Sequence, residues 1–173
     1  YDISKPFPKS AIRTFFLDIE VDSVDWFPSP VQAKGTVTAI TLFDSFNKKF
    51  HVYGLGSWAP DQSCLTKEII DKIQYHSFKD ERSLLTSFLE YWTNNYPDII
   101  TGWNTDGFDL LYLFNRISKI LSESEAKSLS PWGLVRERTF NKFKKKQTEV
   151  SISGINQLDY LKLYRKHTFK MRE

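Results

Sequence analysis

The apolar positions change period several times along the chain. Residues 11–21 are an apolar run that takes up two acids near its end, in Phe15-Phe16-Leu17-Asp18-Ile19-Glu20-Val21, and predict a buried strand. Thr36 to Phe43 alternates with β-branched residues on both faces and predicts a second strand. Asp44-Ser45-Phe46-Asn47 is a hairpin turn, and Lys48 to Tyr53 a third strand, so the three form an antiparallel meander. After a Gly/Ser/Pro loop, residues 66–73 predict a short helix and residues 74–78 one more extended piece. Leu84, Leu85, Phe88, Leu89 and Trp92 then recur with helical period behind Asp80, a good N-cap, and predict a helix to about Asn94. Residues 98–102 are a short buried strand. A loop, 103–107, leads to a helix opening at Phe108 or Asp109 and running to about Leu121, and a second short helix covers 123–129.

Two strands, 134–140 and 147–152, flank Asn141-Lys142-Phe143-Lys144-Lys145-Lys146. They predict a β-hairpin of about 134–153 that is basic through Arg136, Arg138, Lys142, Lys144, Lys145 and Lys146, against Glu137 and Glu149. Residues 155–164 read as a strand running into a helix. A meander followed by helix, strand and helix predicts one α/β domain over 11–173 with a mixed central sheet, preceded by a proline-containing lead-in, 1–10.

The chain's 173 residues with 40% hydrophobic content suit a folded domain with a real core. Net charge is +3, so the distribution of charge says more about partners than its total. Cys64 is the only cysteine, which excludes an internal disulfide and a zinc site built on several thiolates. His51, His76 and His167 have no metal-ligand spacing. No apolar run reaches a membrane span, and a cytoplasmic, reducing setting is expected. The chain opens Tyr-Asp without an initiator Met, which suggests a fragment or processed product.

Strand geometry puts Asp18 and Glu20 on one face, roughly 6.5–7 Å apart. Paired acids at the end of a core strand are costly unless a cation or proton joins them. Gly102-Trp103-Asn104-Thr105-Asp106-Gly107-Phe108-Asp109 supplies a further acid after a strand expected beside the first. Asp109 also has an ordinary use, since acids are favoured in a first helical turn. Three carboxylates converging on a sheet edge, with no His or Cys, suit Mg²⁺ or Mn²⁺. Two such ions about 3.5–4 Å apart would support phosphodiester hydrolysis.

Phe16-Leu17-Asp18-Ile19-Glu20-Val21-Asp22-Ser23 resembles the first exonuclease motif of family B DNA polymerases, and Asn104-x-x-x-Phe108-Asp109 the second. The resemblance is closest to the replicative polymerases of T-even-like bacteriophages. It extends through Phe27-Pro28-x-Pro30-x-Gln32-Ala33-Lys34, Ala39-Ile40-Thr41, Thr101-Gly102-Trp103-Asn104, Tyr112 to Ile117 and Leu158-Asp159-Tyr160, so it covers residues 1 to about 169. It implies an RNase H-like fold and 3′→5′ proofreading of single-stranded DNA ends, in the cytoplasm of a host cell if the source is viral. It implies that Asp18, Glu20 and Asp109 are catalytic metal ligands, with Asp18 shared and Asp109 on the second ion. Asn104 would contact the terminal nucleotide, with Phe108 in the same DNA-binding motif. Phe27 would stack on a base, the alternative being core packing. The hairpin would lie between the exonuclease site and the duplex, where Arg136, Arg138, Lys142, Lys144, Lys145 and Lys146 contact phosphates; a solvated charged loop is the alternative.

The sequence departs from the family at one point: Tyr-x-x-x-Asp, the third motif, occurs nowhere in it. The implied expectation is a domain cut short, weakly active and one metal ligand poorer. Its partners would be the single-stranded 3′ end, the primer-template junction, the remainder of the polymerase and, through an uncovered apolar sheet face, a second copy. Two other readings remain: a single-strand-binding fragment of a split polymerase, and an interaction domain whose acids are structural.

Overall fold

The computed structural model describes residues 12–22, 27–142 and 145–170. Six strands form one mixed sheet: β1 (Thr14–Val21), β2 (Val37–Asp44), β3 (Lys49–Leu55), β4 (Ile73–Phe78), β5 (Ile99–Gly102) and β8 (Asn156–Asp159), in the order β4-β3-β2-β1-β5-β8. The meander is as expected: β1 pairs antiparallel with β2, and β2 with β3. β4 adds parallel to β3, while β5 and β8 add parallel on the other side of β1. β1 is thus interior to the sheet, and the acid pair lies on it. Two further strands, β6 (Val135–Lys142) and β7 (Lys145–Ile152), pair only with each other. The helices are α1 (Lys67–Ile70), α2 (Glu81–Asn94), α3 (Asp109–Ile120), α4 (Glu123–Lys127) and α5 (Tyr160–Lys170).

Each face of β1 has its own chemistry. Phe15, Leu17 and Ile19 are buried, and Phe15 meets Trp92 of α2 edge-on at 5.6 Å. Phe16, Asp18 and Glu20 point the other way and are exposed. Phe16 continues across the sheet as a row of rings with Phe43 and Phe50. The apolar stripe of α2 (Leu84, Leu85, Phe88, Leu89 and Trp92) is fully inside, and Asp80 caps its start by accepting from the Ser83 amide. α3 buries Leu110, Leu111, Leu113 and Ile117. It is fixed to α2 by Arg116, whose guanidinium forms a nearly buried two-pronged pair with Glu81.

Two boundaries differ from the sequence expectation. The helix expected over 66–73 ends at Ile70, because Ile73 leaves it to pair with Phe50 as the first residue of β4. The hairpin strands run to Lys142 and from Lys145, longer than the pattern suggested. The lead-in, 1–10, and Trp26 lie outside the described residues. Among the described residues no helix is long and apolar enough to cross a membrane.

His51 and His76, on the adjacent strands β3 and β4, stack at 6.1 Å with their planes 4° apart. The His76 Nε2 is buried and has no hydrogen-bond partner among the described residues. Burial, and for His51 also the charge of His76, lowers both imidazoles below their ordinary 6.5. The folded state therefore holds fewer protons on them than the unfolded chain does. Their contribution to stability is full above pH 6.5 and is lost as pH falls below it through the depressed folded values. Urea midpoints measured from pH 8 to pH 5 are expected to fall on acidification, and to fall less in a His51→Gln/His76→Gln double variant. Equal slopes in both proteins would contradict the assignment.

Candidate metal centre and nucleic-acid interface

The site begins where β5 stops. β1 and β5 pair over only three residues, Thr14 to Phe16 against Ile99 to Thr101, and β1 runs on alone on that side. The Ile19 amide on the exposed edge is taken by a carboxylate instead, donating to Asp109 Oδ1 at 3.1 Å. The turn between β5 and α3 needs room for this. A Cβ on Gly102 would collide with the Leu17 carbonyl oxygen, so only glycine lets β5 close on β1 there. Asn104 holds a left-handed backbone, φ 62°, a conformation Asn tolerates. A Cβ on Gly107 would sit 2.8 Å from the Asn104 side-chain oxygen.

Asp18, Glu20 and Asp109 line one cleft of about 440 Å³, together with Phe27, Trp103, Asn104, Phe108 and Leu161. The cleft brings together every candidate that the first two sequence motifs supplied. Phe27 is 80% exposed and rests its ring 5.0 Å from that of Phe108, so core packing is excluded for it. Trp103 on the opposite wall is also exposed and touches Tyr160 and Tyr164 of α5. Sequence reasoning passed over this second aromatic wall. The signal was present: a Trp in a glycine-flanked loop beside two helical Tyr spaced i, i+4.

Asp159 and Asp106 are a second missed pair. Asp159 is buried at the β8–α5 junction, where Oδ1 accepts from the Leu161 and Asn104 amides and Oδ2 from the Asp106 amide. It caps α5 and pins the Asn104 turn at the same time. A lone Asp between a strand and a helix is an N-cap signal, but its long-range role is invisible in sequence.

The hairpin candidates separate from this group. Glu137 and Thr139 of β6 face a second cleft, which adjoins the first at Asn104 and Leu161. Strand alternation puts Arg136 and Arg138 on the opposite face, where both are exposed. Lys142, Lys145 and Lys146 belong to the paired strands. Their side chains, and Lys144 altogether, lie outside the described residues.

The chemistry of the donor set fits a hard cation, with oxygen ligands alone. Among the described residues no three His, Cys, Asp or Glu side chains form a ready-made ligand cluster. The electrostatics nonetheless mark the position. Burial, then the charge of Asp18, push the Asp109 carboxyl up to about 7, against the lowering effect of its own and the Ile19 amides. Asp44 is equally buried and shows the opposite outcome. Burial would raise it too, but bonds from Arg13, Tyr91 and the Phe46 amide outweigh that and hold it below 3.8. Among the described residues Asp109 has no such cationic partner.

A raised folded pKa means that Asp109 binds its proton more tightly in the folded state. Its ionisation therefore costs stability as pH climbs from about 4 through about 7. This slope is opposite in sign to that of the two histidines. In chelator, Asp109→Asn keeps an oxygen for the Ile19 amide and removes the charge. Its thermal midpoint is expected to equal or exceed that of the unsubstituted protein at pH 8, with a smaller advantage at pH 5. A variant less stable at pH 8 than at pH 5, relative to the parent, would contradict the cause assigned.

The profile of the DNA polymerase family B exonuclease domain matches residues 2–171. The chain is 36% identical over 186 aligned positions to the DNA-directed DNA polymerase of Escherichia phage RB69, covering 98% of the chain and 21% of that protein. It is 34% identical over 180 positions to the DNA-directed DNA polymerase of Enterobacteria phage T4, covering 94% and 20%. A DNA polymerase catalytic subunit of Human herpesvirus 7 is 32% identical over 147 positions, 80% of the chain and 14% of the relative. The chain spans about a fifth of the length of the phage proteins. Exonuclease domains of this family depend in general on divalent metal ions. With that match over nearly its whole length, and with the mixed sheet and flanking helices that go with it, the chain belongs to the exonuclease domain family of the family B DNA polymerases.

Proposed function

We propose that this domain removes nucleotides from the 3′ end of single-stranded DNA by metal-dependent hydrolysis. The observation that carries it is the cleft in which Asp18, Glu20 and Asp109 meet Asn104 and the ring pair of exposed Phe27 and half-buried Phe108. Asp18, Glu20 and Asp109 would hold Mg²⁺ or Mn²⁺, with Asp18 the shared ligand of the set, and the bound metal would supply a more acidic attacking water and stabilisation of the departing oxygen.

The chain's own residues do the rest. Ile19 orients the Asp109 carboxylate by donating its amide to Oδ1. Phe27 and Phe108 offer a ring surface to a base, a contact tolerant of sequence. Asn104, held by Asp159, reaches the terminal nucleotide. Arg136 and Arg138 lie on the outer face of the hairpin, positioned for phosphates of a primer-template junction rather than of the strand in the cleft. The larger polymerases to which the chain is similar suggest that the domain works beside a polymerase active site within one replicative enzyme. The Tyr-x-x-x-Asp pattern does not occur in these 173 residues, so the ligands proposed are these three carboxylates.

The purified domain, given manganese and a 5′-labelled single-stranded oligonucleotide, is expected to shorten it stepwise from the 3′ end. Asp18→Ala should reduce this to the level seen in chelator. Degradation that persists in both would overturn the reading, while binding without degradation in the unsubstituted domain would replace it with a single-strand-binding role. Phe27→Ala is expected to weaken oligonucleotide binding by about 1–3 kcal/mol, measured by anisotropy in chelator. An unchanged affinity would remove Phe27 from the interface.

A further inference from the structure

The β6–β7 pair is a two-stranded sheet, an arrangement with little stability of its own. At its base, Val150 and Ile152 are buried against the core. Beyond Val150 toward the far end, the described residues are half-buried or exposed. Apolar packing therefore fixes where the hairpin leaves the domain, but not the direction in which it projects.

One side chain stands at that branch point. Lys162, on the first turn of α5, puts its Nζ 2.9 Å from Glu149 Oε1 of β7 and 2.7 Å from Asp106 Oδ2. Asp106 belongs to the turn that carries Asn104 and leads into Asp109. Its second oxygen takes the Gln157 amide nitrogen, which also donates to the Val150 carbonyl. The Gln157 side-chain oxygen accepts from the Ile152 amide. Gln157 thus stitches the buried base to the turn, and Lys162 alone among the described residues extends the link to the first residue beyond it. The bridge also forms part of the wall of the second cleft, where Glu137, Thr139 and Glu149 face Asn104 and Gly107.

We propose that Lys162 is a positioning residue that fixes the direction of the β6–β7 hairpin relative to the Asn104–Asp109 turn, and through it the width of the cleft by which a single DNA strand reaches the carboxylates. The part concerning DNA rests on the function proposed above. The part concerning the hairpin does not.

Two measurements separate them. In hydrogen exchange, Lys162→Met should accelerate the amides of β6 and β7 by about threefold, as befits a half-exposed bridge, and leave those of β1 to β3 unchanged. Lys162→Arg, which keeps the charge and the reach, should restore the original rates. If Lys162→Met loosens the whole fold, Glu149→Gln, which cuts only the hairpin end of the bridge, decides. Faster exchange confined to the hairpin supports the proposal, and unchanged hairpin exchange overturns it.

The second measurement is single-stranded oligonucleotide affinity in chelator. Glu149→Gln removes a negative charge beside the strand and frees Lys162, so simple electrostatics calls for tighter binding. Positioning calls for the reverse, a loss of about threefold. Weaker binding supports the role of the bridge in the DNA path, and tighter binding overturns it. If no variant nor the parent binds DNA, the proposed function fails while hairpin exchange still decides the anchoring role.

Discussion

The bond from the Ile19 amide to the Asp109 carboxylate holds the site together. It exists because β5 is four residues long and leaves one edge of β1 without a strand partner. A buried amide with no acceptor would cost about 1–3 kcal/mol, so some acceptor must be placed there. A carboxylate at the first turn of α3 answers that need and joins the central strand to the helix behind it. The same bond brings Asp109 into the field of Asp18. The feature that closes the fold is therefore also the one that concentrates negative charge, and the two roles cannot be separated by removing the residue.

This explains why Asp109 and Asp44 end so differently. Both are almost wholly buried aspartates at strand or helix ends. Asp44 is surrounded by an arginine, a tyrosine hydroxyl and a backbone amide, and is a finished structural ion pair. Asp109 is given amides alone, and faces another acid. An acid left in that condition stores free energy that a proton or a divalent cation releases. A purely structural role for all the acids would predict that both look like Asp44.

How much of this the sequence could reveal depended on the range of each interaction. The α2 helix was legible in full, because Asp80 and its apolar stripe act within a few turns. The Asp18 and Glu20 pair was legible because strand alternation is local, and their meeting with Asp109 because β5 was expected beside β1. Resemblance to a family then ordered the same residues into a site. The part played by Asp159, Asp106 and Lys162 was not legible. Their partners are 50 or so residues away in sequence, by contacts such as Asn104 to Asp159 and Asp106 to Lys162. In the sequence Lys162 is one cation in a Lys/Arg-rich terminus, indistinguishable from a solvated surface residue. For the hairpin, the count of cations was legible but not which face each one takes: Glu137 lines the second cleft, while alternation turns Arg136 and Arg138 to the other side.

That orientation bears on how the two halves of the domain act together. A cleft walled by Glu137 and Glu149 repels a phosphate backbone unless its cations, Lys162 and Arg165, are suitably placed. Lys162 is shared between Glu149 and Asp106, so its single positive charge offsets one of those two negative charges and leaves that of Glu137 untouched. The adjoining cleft is lined by Asp18, Glu20 and Asp109 with no lysine or arginine among its described lining residues, so the rings of Phe27, Phe108 and Trp103 are the surface there that does not repel a phosphate backbone. On the function proposed, such a surface would favour bases that are free to unstack, which a frayed 3′ end supplies and a paired duplex does not. Selectivity for unpaired ends would then arise from stacking, before any carboxylate takes part.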